Sequence, residues 1–250
     1  MISFPSMNSR LPLGERRVPL WFPPVVFLAG GILSSAGYVF LARAFHASTQ
    51  SDLRPWWLQI SAIVFLWATL LAGTWWANRE HGPLFEPGFF RIRLFQAPRS
   101  DGIYLLVGVG LQLLVGILYH PFHSHSVSRP VHEILGNATG WRTALVMVSA
   151  GVGAPIVEEI FFRGLVLRSL QTVRWERFRT MAAGWLPVLT SGVLFAAAHV
   201  QGVQFFGLAL TGVALAVIRV REQRLAPSVF AHAGFNLIAL VTTYFLSVGS

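Results

Sequence analysis

Seven apolar runs, almost free of charge, constrain this chain more than any single motif. They cover approximately Trp21–Ala44, Trp56–Ala77, Gly102–Tyr119, Trp141–Leu170, Ala182–Val200, Val203–Val220 and Pro227–Phe245. About 20 apolar residues in a helix match the roughly 30 Å hydrocarbon layer of a bilayer. In that layer every backbone amide needs a partner within its own segment, which a helix supplies. The expected fold is therefore an all-α, polytopic transmembrane helical bundle of about seven spans, or eight if a split or re-entrant segment hides between spans five and six. With 54% hydrophobic and 12% charged residues, the composition agrees. There is no Cys, which excludes disulfides and thiolate catalysis. Every basic residue is Arg, so a lysine Schiff base is excluded too.

The formal charge of +9 reads as a topology signal rather than a nucleic-acid footprint. With the N-terminus cytoplasmic, 14 of the 19 arginines fall on cytoplasmic segments. Only Arg43, Arg54, Arg129 and Arg142 fall outside, and Arg163 lies within a span. Trp56-Trp57 and Trp75-Trp76 stand where the two interfaces of span two are expected. Phe89–Phe95 mixes aromatics with arginines and is expected to lie along the headgroups. The arginines after spans four and six are assigned to topology and headgroup contacts. Residues 1–140 form an N-terminal transmembrane region, and residues 141–250 the region that carries chemistry.

Ionisable groups inside a span are costly and usually face a cavity, a partner or a substrate. Span four carries two, Glu158 and Glu159, followed by Arg163. Adjacent helical residues point about 100° apart, so the two carboxylates cannot address one point equally. Glu159 and Arg163, four apart, share a face and are expected to pair. That leaves Glu158 as the freer carboxylate and a candidate general base. Gly151, Gly153 and Pro155 predict a kink just before the acids. Span five adds Phe195-x-x-x-His199, and span seven adds His232-x-x-x-Asn236. A carboxylate and an imidazole can hold and deprotonate water, while a second imidazole and an amide can stabilise an oxyanion. The same side chains could instead ligate a divalent metal that activates the water. The HExxH zinc-protease helix is absent.

Other features point elsewhere. His120, His123, His125 and His132 crowd one external loop at uneven spacing and are read as adventitious. Gly108, Gly110 and Gly116 lack the strand–turn–helix setting of a nucleotide loop and are read as helix-packing residues.

Taken together, Glu158-Glu159-x-x-x-Arg163, Phe195-x-x-x-His199 and His232-x-x-x-Asn236 resemble the three motifs of the CAAX-protease and bacteriocin-processing family of intramembrane proteases, also called the ABI or type II CAAX prenyl endopeptidase group. The resemblance covers about residues 141 to 245. It implies hydrolysis of a peptide bond in a membrane-associated or lipidated protein or peptide. Glu158 would activate water together with His199, His232 and Asn236 would bind the oxyanion, and Glu159 and Arg163 would support the site. On the favoured reading no cofactor is required; the alternative is a divalent metal such as zinc on Glu158, His199 and His232. Expected partners are membrane lipids and the substrate, with no nucleic acid, and the expected location is a bacterial plasma membrane. The alternatives are a non-catalytic scaffold or bacteriocin-immunity protein, or a proton-coupled transporter using Glu158.

One geometric demand follows. In simple full-length spans His199 would sit near the outer end of span five and His232 near the inner end of span seven. They can share one water if span five continues obliquely past Gly202 or if it ends inside the protein at mid-depth, and the chemistry predicts the second.

Overall fold

The lengths of the apolar runs reappear as helices in the computed structural model, which describes residues 17–50, 55–82, 84–85, 88–96, 100–120, 139–172 and 182–248. The helices are α1 (Phe22–Ala44), α2 (Trp56–Glu80), α3 (Gly102–Tyr119), α4 (Trp141–Gln171), α5 (Ala182–Ala198), α6 (Phe205–Glu222) and α7 (Ala226–Val248). The architecture is an all-α, multi-span membrane bundle. Five helices among the described residues are long and apolar enough to cross a membrane: α1, α2, α3, α4 and α7. Among the described residues α5 is a shorter apolar helix, and α6 ends in Arg219, Arg221 and Glu222.

Contacts between helix ends define two poles. At one, Phe45 packs on Trp57 and Trp56 on Trp141, with Arg142 over the Trp141 ring. At the other, Phe22 packs on Trp76 and Arg79 lies over Trp75. The 19 residues from Trp56 to Trp75 rise about 28 Å along α2, close to the hydrocarbon thickness. The two tryptophan pairs thus stand at opposite ends of α2, at the spacing of two interfaces.

The second pole is locked by a buried ion pair absent from the sequence reading. Arg224, between α6 and α7, donates to both Asp101 carboxylate oxygens at 2.8 and 3.0 Å and to the Arg91 carbonyl. The Arg93 amide also donates to Asp101, and the Leu225 amide donates to the Phe89 carbonyl at 2.7 Å. Arg219 lies 4.7 Å above the Phe89 ring. Arg219 and Arg224 are therefore buried within the protein rather than in contact with headgroups. Phe89 is buried as well, while Phe90, Ile92, Leu94 and Phe95 face outward from the same segment, as an interfacial strip should.

α3 and α7 touch backbone to backbone. A Cβ on Gly108 would meet the Ala231 carbonyl oxygen at 1.8 Å, and one on Gly234 would meet the Leu105 carbonyl oxygen at 2.1 Å. Small residues allow such close approach in membranes. Gly110 and Gly116 have open space around them, so of the three glycines read as packing residues only Gly108 packs. Gly108→Ala is expected to destabilise the detergent-solubilised protein by about 1–3 kcal/mol, the usual range for overpacking. Gly110→Ala is expected to be neutral. Paired thermal-denaturation curves check this, and equal effects of the two would contradict the packing assignment.

Candidate active site

α4 is not a uniform helix. Two wide, π-helical turns, Ser149–Gly153 and Ile160–Val166, bracket an α-helical turn over Ala154–Glu159 that carries both carboxylates. The first is the kink expected from Gly151, Gly153 and Pro155, and its cause is visible. The Ala154 amide donates five residues back, to the Ser149 carbonyl. The next bond in that register would run from residue 155 to the Ala150 carbonyl, but proline has no N–H. Asn236 of α7 supplies the missing donor: its Nδ2 donates to the Ala150 carbonyl at 3.0 Å. The second wide turn has no signal in the sequence. It carries Arg163, whose Nε lies 3.2 Å from Glu159 Oε2.

Glu159 and Arg163 are both fully buried. An unpaired charge at such a place is prohibitive, and each neutralises the other. Arg163 Nη2 also donates to the Gly212 carbonyl of α6 at 3.1 Å, and the guanidinium lies 5.0 Å from the Phe195 ring centroid. That bond needs the α6 backbone close by. The α5–α6 hairpin is tight at Gly192 and Gly212, where a Cβ on Gly212 would meet the Gly192 carbonyl at 2.8 Å. The other oxygen of Glu159, Oε1, lies 3.2 Å from His232 Nδ1.

Glu158 points the other way, into a cavity. Its Oε2 lies 3.8 Å from His199 Nε2 and 3.7 Å from His232 Nε2. The two histidines meet because α5 stops short. Its helix ends at Ala198, His199 and Val200 form a turn with Val200 at φ 51°, and α6 begins at Phe205. The end of α5 is thereby level with the acids halfway along α4. Phe195 is the platform between the rings, with centroids 4.6 Å from His199 and 5.3 Å from His232.

Hydrogen bonding sets the proton positions. His199 Nδ1 lies 2.8 Å from the Phe195 carbonyl and His232 Nδ1 faces the Glu159 carboxylate. Both partners can only accept, so each Nδ1 carries a proton. In the neutral rings each Nε2 is then an acceptor, aimed at a carboxylate oxygen that is also an acceptor. Glu158 Oε2 is buried and lacks a hydrogen-bond partner among the described residues. Three acceptors converge with no donor between them, and a water molecule is a guest that can donate to two of them. The donor types also suit a divalent ion such as zinc. No group of three or more His, Asp or Glu among the described residues stands in a ready metal-holding arrangement.

The cavity, about 530 Å³, is lined by α2, α3, α4, α6 and α7 as well as by the site. Residues 140–238 match a family model described as Type II CAAX prenyl endopeptidase Rce1-like. Over that stretch the chain is similar to this family. No curated protein and no solved structure matches the chain. All six residues singled out from the sequence fall inside the Rce1-like region, and the fold brings Glu158, Glu159, Arg163, His199 and His232 into one connected cluster. Asn236 lines the same cavity, one helical turn beyond His232. Pattern reading had no sign of Gly212 as the acceptor for Arg163, or of the Phe85–Phe89–Phe90 stack packed against Gly164, because backbone acceptors and scattered aromatics leave no motif. His123, His125 and His132 lie outside the described residues, and His120 stands at the C-terminal end of α3.

The Glu159–Arg163 pair generates a stability prediction. Glu159→Gln and Arg163→Ala should each cost about 3–5 kcal/mol by leaving a buried charge unmatched. The double substitution Glu159→Leu/Arg163→Met should cost clearly less than the sum. Chemical or thermal denaturation of the four proteins measures this; single effects below 1 kcal/mol would contradict the assignment.

Proposed function

We propose that the chain is an intramembrane endopeptidase that hydrolyses a peptide bond of a membrane-associated or lipidated protein or peptide with a Glu158-activated water. The observation carrying this reading is the convergence of Glu158 Oε2, His199 Nε2 and His232 Nε2, three acceptors at 3.7–3.8 Å with their far sides fixed by other groups. The match of residues 140–238 to the Rce1-like family supports it. In this mechanism water donates to Glu158 and His199. As the water oxygen attacks the scissile carbonyl carbon, Glu158 takes its proton. Before the attack His232 takes a proton from solvent on Nε2, the acceptor of its neutral ring, and the resulting imidazolium, lying between Glu158 and Glu159, donates through Nε2 to the oxyanion. Collapse of the tetrahedral intermediate breaks the C–N bond, and Glu158 returns the proton to the leaving amine, giving one carboxyl and one amine product. Glu159 and Arg163 hold His232 in place. The Nδ2 of Asn236 has one N–H committed to Ala150, leaving the second to face the cavity and join His232 in binding the oxyanion.

Residues 141–250 supply this chemistry and residues 1–140 wall it in. The N-terminus lies on the cytoplasmic side, α5 and α6 complete seven membrane-embedded helices, and the setting is a bacterial plasma membrane. A divalent ion such as zinc would be held by Glu158, His199 and His232 and would supply Lewis-acid activation of the water.

The test is cleavage of membrane-embedded and lipidated peptides by purified protein. Glu158→Gln and His199→Ala are expected to lower kcat/KM by at least about 10²-fold, the usual contribution of a general base, with unchanged thermal denaturation. Cleavage that survives both substitutions would sink the reading. Activity that persists after chelation, with metal content measured on the same sample, is the expected outcome for the water–glutamate mechanism; loss restored by zinc would assign the ion instead.

A further inference from the structure

Resting on the reading of the cavity as a site of peptide hydrolysis, we propose that Gln112 of α3 is a substrate-binding residue. Its side-chain amide pairs with the backbone N–H and C=O of one residue of an apolar polypeptide held in the cavity.

Between Tyr104 and Tyr119, α3 consists of Leu, Ile, Val and Gly apart from Gln112. A primary amide in such a run is costly unless it has a partner. Other polar side chains of the bundle show how that demand is met. Thr74, Ser169 and Thr211 return their hydroxyls to carbonyls one turn back in their own helices. Ser34 of α1 donates to the Ala62 carbonyl of α2, and Asn236 donates to Ala150. Gln112 makes no hydrogen bond to any described residue. It lines the cavity together with Glu158, His199 and His232.

A backbone contact fixes its depth. α3 and α7 both begin beside the Asp101–Arg224 pair, so they run in the same direction. They cross where a Cβ on Gly108 would meet the Ala231 carbonyl oxygen at 1.8 Å and the Phe235 nitrogen at 2.8 Å. Gln112 lies one turn past Gly108, about 6 Å along α3. Asn236 directly follows Phe235 and stands past the crossing in the same direction. The amide offered by α3 is therefore within one turn of the depth of Asn236, and the glycine contact holds the two helices in that register.

A primary amide carries one acceptor oxygen and two N–H donors. In an extended peptide the N–H and C=O of a single residue point to the same edge, so one Gln side chain can engage both, as paired strands do residue by residue. Much of the remaining cavity wall is apolar, including Trp67, Val115 and Leu240. A peptide group that sheds its water against such a wall needs replacement partners, which Gln112 supplies. Gln112 lies outside residues 140–238, so on this assignment the N-terminal helices take part in binding the substrate.

The test uses the full-length protein in detergent and a fluorescein-labelled decapeptide of alternating Ala and Leu. Its depsipeptide counterpart, in which ester oxygens replace the backbone N–H groups, is measured beside it. Gln112→Leu is expected to weaken peptide binding at least about fivefold, the scale of one or two hydrogen bonds, and depsipeptide binding by no more than about twofold. The coupling between the change in the protein and the change in the ligand isolates the contact. Equal weakening of both ligands, unchanged peptide binding, or no saturable binding of the peptide by the wild type would overturn the proposal. The thermal midpoint of Gln112→Leu should be no lower than that of the wild type; a lower one would mean that the amide serves the fold and would overturn the assignment. Gln112→Met gives the same comparison if Gln112→Leu does not accumulate. On a peptide that the protein cleaves, Gln112→Leu should raise KM at least about fivefold and leave kcat within about twofold. Loss of kcat at constant KM would overturn the proposal. Binding needs no hydrolysis, so cleavage that proves independent of Glu158 would remove the protease reading and leave this coupling standing. Glu158-dependent cleavage with no effect of Gln112→Leu would do the reverse.

Discussion

A carboxylate held away from water inside a membrane must be neutralised by the protein, and the buried Glu159–Arg163 pair is where this structure meets that demand. The pair is also the hub of the packing. Arg163 reaches the backbone of α6 at Gly212 and stacks on Phe195 of α5, while Glu159 reaches His232 of α7. Four helices are thereby tied to one ion pair. Its geometry explains how two adjacent acids come to different uses: the one with a cation beside it is structural, and its neighbour, turned about a quarter of the way round the helix, keeps a bare oxygen in a cavity.

Departures from regular helix concentrate where the reactive groups lie. Wide turns are frequent at functional sites, and both turns of α4 do identifiable work. The first leaves the Ala150 carbonyl facing a proline, and that deficit is met by Asn236 from α7, so the residue that draws α7 against the kink stands one turn from His232. The second carries Arg163 into the packed interior. The short α5 is a third departure. By ending level with the acids it brings a histidine from the end of one helix beside a histidine from the first third of another, and it leaves the space above the hairpin open as the cavity.

The two poles differ in kind. One is closed by aromatic rings, a bidentate Asp101–Arg224 pair and backbone bonds that tie the segment after α2 to the turn between α6 and α7. Towards the other, amide and hydroxyl side chains line the cavity. This asymmetry distinguishes the two sides of the candidate site, which a symmetric bundle would not do.

The membrane class, the helix ranges to within a few residues and the polar residues that gather around the cavity were legible in the chain because each follows from a local rule. A helix must be about 20 apolar residues long to cross lipid, and an ionisable group inside it needs a reason. The i, i+4 spacings of Glu159 with Arg163 and of His232 with Asn236 likewise depend on helix geometry alone. What local rules could not say is which side chains meet across helices. Arg219 and Arg224 looked like headgroup contacts, since an arginine at a helix end carries no mark of the aspartate 123 residues away that buries it. Gly108 could not be told from Gly110 and Gly116 until α7 lay against it. The length of α5 in the membrane, the acceptor-only meeting of Glu158 with two imidazoles and the closed floor beneath them arise from helices packed together, and so belong to the tertiary structure.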